Sequence, residues 1–280
     1  MSDWRPIASI DQLRRRAKLL AQTRDFFTAR DVIEVQTPVL GQQSVTEPDV
    51  QSIVVPDYGY LQTSPEYQMK RLLAAGMPSC YQLAPAFRHA ERGRLHNPEF
   101  TMLEWYRLGF DHQQLMYEVG ELVDTLLGAQ PYQRVTYGEL VGELEGRPRD
   151  ELDMAFAQAC ENLSPGRFFV TDYPADQAAL ARLNPGGLTA ARFELVIDGV
   201  EIANGYWELL DAQEHRSRFA ADAATRQGRG LSALETDEAF LDALVHGLPP
   251  CAGVAVGFDR LVMLATDAKD LSEVLAFRHS

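Results

Sequence analysis

The chain has 280 residues, 46% of them hydrophobic, and carries 26 Lys and Arg against 40 Asp and Glu, a formal net charge of −14. That length and apolar fraction suffice for the core of one large globular domain, and the acidic balance argues against a broad grip on nucleic-acid phosphates, which calls for a basic surface. No run nears the roughly 18 apolar residues of a membrane span, and no apolar stretch follows the first basic residues, so neither an anchor nor a secretory signal is expected and the cytoplasm is the default location.

The predicted elements begin with an amphipathic helix over 11–30, with Leu13, Ala17, Leu20 and Phe27 near one face and Arg14, Arg15, Lys18 and Arg24 on the rest. A short strand over 32–35 follows, and Pro38 ends it. A second helix starts at Ser64-Pro65-Glu66, with Ser64 suited to the N-cap, Pro65 to the first turn and Glu66 to the positive helix end, and runs to about Ala75. Two strands, over 81–88 and 100–107, bracket a charged loop from His89 to Asn97 that is placed to carry chemistry. A helix over 111–127 has Asp111 as its cap. From 128 to 184 the pattern weakens to short helices and acidic clusters, read as a variable peripheral region. Asp198-Gly199 is a hairpin turn signal between strands over 193–197 and 200–209. Helices over 214–227 and 237–246, a glycine-punctuated strand over 253–257 and a helix over 259–265 complete the chain. The order fits an α+β domain on a mostly antiparallel sheet. Cys80, Cys160 and Cys251 are far apart, lack metal-ligand spacing and read as buried, inert thiols.

Three signals carry chemistry. Glu104 lies in an apolar strand where period-two alternation puts it on one face with Phe100, Met102 and Tyr106. A carboxylate there is costly unless paired. A structural ion pair and a site for an amine explain it equally well. Glu194 and Glu201 flank the Asp198-Gly199 turn, and two close carboxylates call for a cation such as magnesium carrying nucleotide phosphates. An exposed acidic hairpin is the plainer alternative. Strict alternation sets Glu201 on the face opposite Asn204, Tyr206 and Glu208, so a shared site needs a bulge, with Gly205 as its neighbour. Arg88 ends a strand before the charged loop, and Arg260 follows Gly253 to Gly257. Either could hold phosphate bidentately or bond backbone carbonyls. Together the segments suggest nucleotide-dependent activation of a cationic substrate.

The run from Phe87 to Tyr106 resembles motif 2 of class II aminoacyl-tRNA synthetases in its lysyl form. Arg14 to Pro38 resembles motif 1, and Gly253 to Arg260 resembles motif 3. Segments 63–73, 96–107, 201–209 and 257–264 are most similar to the lysyl-synthetase paralogues of the EpmA (PoxA or GenX) family, which ligate (R)-β-lysine to elongation factor P. The resemblance covers nearly the whole chain and thins over 128–184. It implies a class II catalytic fold, an antiparallel sheet flanked by helices, as one domain over 1–280 that dimerises through motif 1, with ATP and magnesium and without an anticodon-binding domain.

By the same resemblance Arg88 bridges the α-phosphate and the substrate carboxylate, and Arg260 holds the γ-phosphate, the two together carrying catalysis. His96 contacts phosphate, Phe100 stacks on adenine, and Asn97 and Glu201 join the nucleotide side. Glu194 and Glu201 coordinate magnesium. Glu66 meets the amino group near the substrate carboxylate, Glu104, Tyr106 and Glu208 hold the terminal ammonium, and Asn204 and Tyr206 line the pocket. Ala203 stands where the tRNA enzymes have glycine and is expected to favour β-lysine over α-lysine by reshaping the pocket floor. Two departures stand out. Ala90 occupies the usual position of a motif 2 glutamate, with Glu91 next, and the chain is shorter than better-known members near 53–60 and in the middle. The rivals are a stand-alone enzyme charging tRNA with α-lysine, against which the charge and Ala203 argue, and a non-catalytic binding paralogue, against which the retained arginines and carboxylates argue.

Overall fold

The computed structural model describes residues 4–144 and 146–278. The chain divides into two compact units. The first takes in the chain up to Trp105 together with Leu210–Pro249 and the part from Gly257 on, and the second Tyr106–Leu209 and Pro250–Val256.

In chain order the elements up to the middle are α1 (Ile10–Thr28), β1 (Ile33–Glu34), β2 (Leu40–Gly41), β3 (Val54–Val55), β4 (Gly59–Leu61), α2 (Glu66–Ala74), β5 (Cys80–Phe87), β6 (Glu99–Leu108) and α3 (His112–Leu127). Then come β7 (Tyr132–Thr136), α4 (Tyr137–Val141), α5 (Arg149–Glu161), β8 (Arg167–Pro174), β9 (Thr189–Ile197) and β10 (Val200–Trp207). The last are α6 (Ala212–Gly228), α7 (Glu238–Gly247), β11 (Cys251–Gly257) and α8 (Phe258–Ala265).

In the first unit β5 lies between β1 and β6, and β1 runs parallel to β5 with Ile33 opposite Cys80. A small sheet of order β2-β4-β3 is antiparallel. The stripe that α1 buries is Leu19, Thr23, Phe26 and Phe27, and Ala17 is exposed, so the expected face is rotated by about one residue step, roughly 100°, at its N-terminal end. Phe27 stacks on Tyr81 with ring centroids 4.2 Å apart and meets Trp105 edge-on. Such aromatic contacts add to the apolar burial that holds helix on strand. Helix α2 packs on α7, where Tyr67 stacks on Phe240 at 4.4 Å. Its cap differs from expectation. Pro65 itself is the N-cap, lacking a hydroxyl, and Ser64 one residue earlier accepts from the Glu66 N–H at 3.0 Å.

In the second unit the strand order is β6-β11-β10-β9-β8-β7, the end of β6 from Tyr106 belonging here. Neighbours β11, β10, β9 and β8 are antiparallel, and β7 alone among these pairs runs parallel, to β8. The β9–β10 turn has Asp198 at φ 49° and Gly199 at φ 79°, the two left-handed residues that match the right-handed twist of a two-residue hairpin. Helix α3 starts on a capping box, in which Asp111 Oδ1 accepts from the Gln114 N–H and the Gln114 side chain accepts from the Asp111 N–H. The stretch 128–184 holds short helices, as expected, in α4 and α5, but it is not merely peripheral, since it also contributes strands β7 and β8 to the sheet. Tyr137, Val170 and Tyr173 from it are buried with Ala190 and Val196 in one apolar cluster.

Candidate active site

Each unit holds its own cluster of the residues singled out by sequence. In the first unit, the loop after β5 carries Arg88, whose Nη1 lies 3.5 Å from Glu91 Oε1 and whose guanidinium sits 5.3 Å from the Phe100 ring centre. Ala90 has φ 62°, a left-handed conformation that turns the chain so that the next residue, Glu91, reaches back to Arg88. A carboxylate therefore does accompany this arginine, one position later than the family pattern. Arg260, in the first turn of α8, bonds His96 Nε2 through Nη2 at 2.9 Å and the Leu95 carbonyl through Nε at 3.4 Å. The loop is tied down by the C-terminal segment, where Arg278 Nη2 donates to the carbonyl of Gly93 at 2.5 Å and the Leu271 N–H donates to that of Arg94. Asn97 is buried, and its Nδ2 donates to the Glu99 carbonyl. Arg88 with Phe100 and Arg260 with His96 thus form two partly exposed cationic pairs in this unit, and Asn97 braces the loop between β5 and β6.

Deeper in the same unit two carboxylates are held by their neighbours. Glu104 is only 2% exposed, and Ser64 Oγ–H donates to its Oε2 at 2.6 Å. Burial first, and the Glu104 charge second, push the Cys80 thiol up to about 12, so this cysteine stays protonated. Glu66 Oε1 accepts a hydrogen bond from Lys70 Nζ at 2.6 Å, one helical turn on, and the lysine is fully buried. Sequence reasoning passed over Lys70. Its i, i+4 spacing from Glu66 was the available signal.

In the second unit the sheet register settles the alternation question. Asn204 pairs with Glu194 and Tyr206 with Arg192, while Glu201 pairs with Val196 because a bulge intervenes between Glu201 and Ala203. Cross-strand partners share a face, so Arg192, Glu194, Glu201, Asn204 and Tyr206 share one. The expected bulge exists, but the extra residue is Ile202 rather than a neighbour of Gly205. Glu194 and Glu201 are not directly opposite. They are one diagonal apart.

Arg192 is the residue that sequence reasoning missed here. Its Nη2 donates to Glu194 Oε1 at 2.6 Å, its Nε donates to Asn204 Oδ1 at 3.2 Å, and Asn204 Nδ2 donates to the Tyr206 hydroxyl at 2.9 Å. Burial pushes the Glu194 carboxyl up to about 7, the Glu201 charge adds to the rise, and Arg192 opposes it. A buried carboxylate destabilised by a second one suits a divalent cation. Among the described residues no group of three or more His, Cys, Asp or Glu assembles a full metal cage. Two carboxylates placed this way could hold a divalent cation such as magnesium between them.

On the same face Gly253 pairs with Tyr206 and Ala255 with Asn204. A Cβ on Gly253 would fall 2.2 Å from the Tyr106 ring and 2.6 Å from Glu208 Oε1. Glu208 and Tyr106 thus close over a bare stretch of β11, and both are buried. Ala203 is not brought to this face. It pairs with Leu195 and Val256 and points to the other side, away from Asn204 and Tyr206. The small side chain facing the pocket residues is that of Ala255.

The family model described as tRNA synthetases class II (D, K and N) matches residues 2–280. Among curated relatives, the elongation factor P--(R)-beta-lysine ligase of Vibrio vulnificus is 42% identical over 316 aligned positions, covering 99% of this chain and 98% of its own. The protein of that name from Pseudoalteromonas translucida is 43% identical, covering 98% and 97%, and that from Salmonella gallinarum is 40% identical with the same coverage.

Proposed function

Because the chain belongs to the class II tRNA synthetases of the D, K and N group, we propose that it activates (R)-β-lysine with ATP and joins it to a lysine side chain of elongation factor P. The observation that supports this most is the extent of the likeness, 40% identity or more over nearly all of both chains to ligases of that name. Every phosphate arginine and metal carboxylate that the family reading needs is present as well.

In the first step a carboxylate oxygen of β-lysine attacks the α-phosphorus of ATP, and the bond to pyrophosphate breaks. Arg88 bridges the α-phosphate and the attacking carboxylate, Arg260 and His96 hold the outer phosphates, Asn97 braces their loop, and Phe100 stacks on adenine. Their contribution is positioning and charge neutralisation. Glu194 and Glu201 would hold magnesium, which would supply further positive charge to the phosphates. Glu66, fixed by Lys70, meets the amino group near the substrate carboxylate. Glu104, Tyr106 and Glu208 hold the terminal ammonium, and Asn204 and Tyr206, locked in one orientation by Arg192, line the pocket. In the second step a lysine ε-amine of elongation factor P attacks the carbonyl carbon of the mixed anhydride, AMP departs, and the amine loses a proton.

The homodimer of the family would form on the motif 1 side, where Ile7, Ile10 and Ile33 are exposed in the single chain. No helix among the described residues is long and apolar enough to cross a membrane, in keeping with work in the cytoplasm.

The test is ATP–pyrophosphate exchange in magnesium buffer with (R)-β-lysine, L-α-lysine and no amino acid. Exchange favouring β-lysine, followed by transfer to elongation factor P, is expected. Exchange with α-lysine alone would redirect the assignment to tRNA charging, and none at all would leave a binding protein.

A further inference from the structure

The two residues read as gripping opposite ends of ATP, Phe100 and Arg260, each have a chain neighbour tied to the same buried ion pair. Asp259 precedes Arg260 and is 2% exposed at the start of α8. Its Oδ2 accepts from the backbone N–H of Thr101, the residue after Phe100, at 2.8 Å. Its Oδ1 lies 2.6 Å from Arg16 Nη2 on α1. The same arginine nitrogen donates to Thr101 Oγ1 at 2.7 Å, and the guanidinium stands 5.6 Å from the Phe258 ring centre. The three groups close a triangle in which every side is a hydrogen bond or a charge contact.

From this geometry we propose that Arg16 and Asp259 are positioning residues for the nucleotide, fixing the spacing between Phe100 and Arg260. The inference rests on the assignment of those two residues to ATP. Side chains alternate along a strand, so Thr101 points away from the face of Phe100 and can serve as an anchor behind it. Asp259 and Arg260 leave α8 about 100° apart, so one reaches the anchor while the other remains free to reach a ligand. The Thr101 N–H is what makes the link rigid. A backbone donor near the start of β6 goes to a side chain of α8, so the strand cannot slide along the helix without leaving a buried donor unsatisfied. The ion pair is shielded from water, and removing one partner leaves the other charge stranded. Arg16 adds a third element, since it carries α1, the motif 1 helix, into the same anchor.

The experiment compares Arg16→Gln, Asp259→Asn, the double variant and Arg16→Lys with wild type. ATP affinity is measured by calorimetry with magnesium, the KM for (R)-β-lysine by exchange, and the melting temperature on the same samples. Phe156→Leu, in the apolar cluster of the second unit, is the control for loss of stability alone. Each single variant is expected to weaken ATP binding roughly tenfold, as a small misplacement of positioning groups does. The KM for β-lysine should stay within about twofold, and the double variant should be no worse than the weaker single, because the pair acts as a unit. Arg16→Lys, which keeps the charge, should regain part of the affinity that Arg16→Gln loses. ATP affinity unchanged in the variants, or weakened no more than in Phe156→Leu at an equal loss of melting temperature, overturns the inference. Should Asp259→Asn fail to fold, the two Arg16 variants decide alone. A wild-type protein that binds no ATP would instead overturn the functional assignment, and the inference with it.

Discussion

The cationic cluster of the first unit and the carboxylate face of the second are built on opposite plans. Arg88, His96 and Arg260 stand on a loop and a helix start, partly open to solvent, with Arg88 3.5 Å from Glu91 and Arg260 bonded to His96 at 2.9 Å. Glu194 and Glu208 stand on or beside central strands, buried, with their positions set by sheet register. A polyphosphate is flexible, hydrated by water and coordinated by magnesium, and a half-open set of arginines can follow it. Buried acids in fixed positions can select among cations, on the proposed reading a metal at Glu194 and an alkylammonium at Glu208, because electrostatic contacts strengthen and desolvation penalties sharpen where water is excluded. Glu104 shows that the contrast is one of burial and not of unit, since it lies in the first unit and is as dry as the acids of the second.

The largest effect is expected where a dry acid is neutralised. Glu104→Gln should lower lysine-dependent exchange by roughly 100-fold or more while ATP affinity moves less than about threefold, as expected when a buried polar partner is lost on one side of a recognition pair. Exchange at the wild-type rate in this variant would remove Glu104 from substrate recognition.

A middle-sized effect concerns pH. The Glu194 carboxyl holds its proton up to about 7 in the fold against 4.5 ordinarily. A group that binds its proton more tightly when folded stabilises the fold below its ordinary value, and that contribution is lost as pH rises from 4.5 through about 7. In magnesium-free buffer the Glu194-dependent part of stability should therefore fall over this window by something on the order of 1 kcal/mol, discounted because the exposed Glu201 charge is screened. Melting curves from pH 5 to 8 for wild type and Glu194→Gln measure it. A wild-type curve that rises relative to the variant over that range would contradict the assignment.

The smallest effect is expected at Ala203, which faces away from the pocket residues. Ala203→Gly should change the ratio of β-lysine to α-lysine exchange less than about threefold, the remainder being backbone loosening of roughly 0.5–1 kcal/mol. A change beyond about tenfold would mean that the pocket floor is reshaped from behind the sheet.

How much of this could be read beforehand depended on how local each signal was. The helix of Asp111, the Asp198-Gly199 turn and the strand around Glu104 are written in caps, turn chemistry and alternation, and each stands where expected. Strand β7 escapes sequence reading because it is mostly polar and pairs in parallel with a strand over 30 residues away, whereas β8 carries a legible signal in Phe168-Phe169-Val170 that the reading of 128–184 as peripheral passed over. Among the site residues, the need for a bulge in β10 followed from counting, but its place at Ile202 depended on which side chain the core would take. Arg192 and Lys70 went unread because each acts through a partner, and the hydrogen bond that gives it meaning is not visible in composition. Ala203 became a pocket residue only through the family resemblance, and strand geometry turns its side chain away from Asn204 and Tyr206.

The bulge at Ile202 turns the length of β10 into a matter of parity. Glu201 and Glu208 are seven residues apart, and an odd interval in a plain strand would place them on opposite sides. The bulge absorbs one residue and makes the interval even. Relatives that keep both acids on one face are then free to gain or lose residues between them two at a time. A change of a single residue would turn one acid to the back of the sheet, unless the residue removed were the bulged one, in which case the strand would straighten and the acids would stay where they are. An odd interval between two acids that must act together is thus a mark countable from sequence, and it says that the strand joining them is not regular.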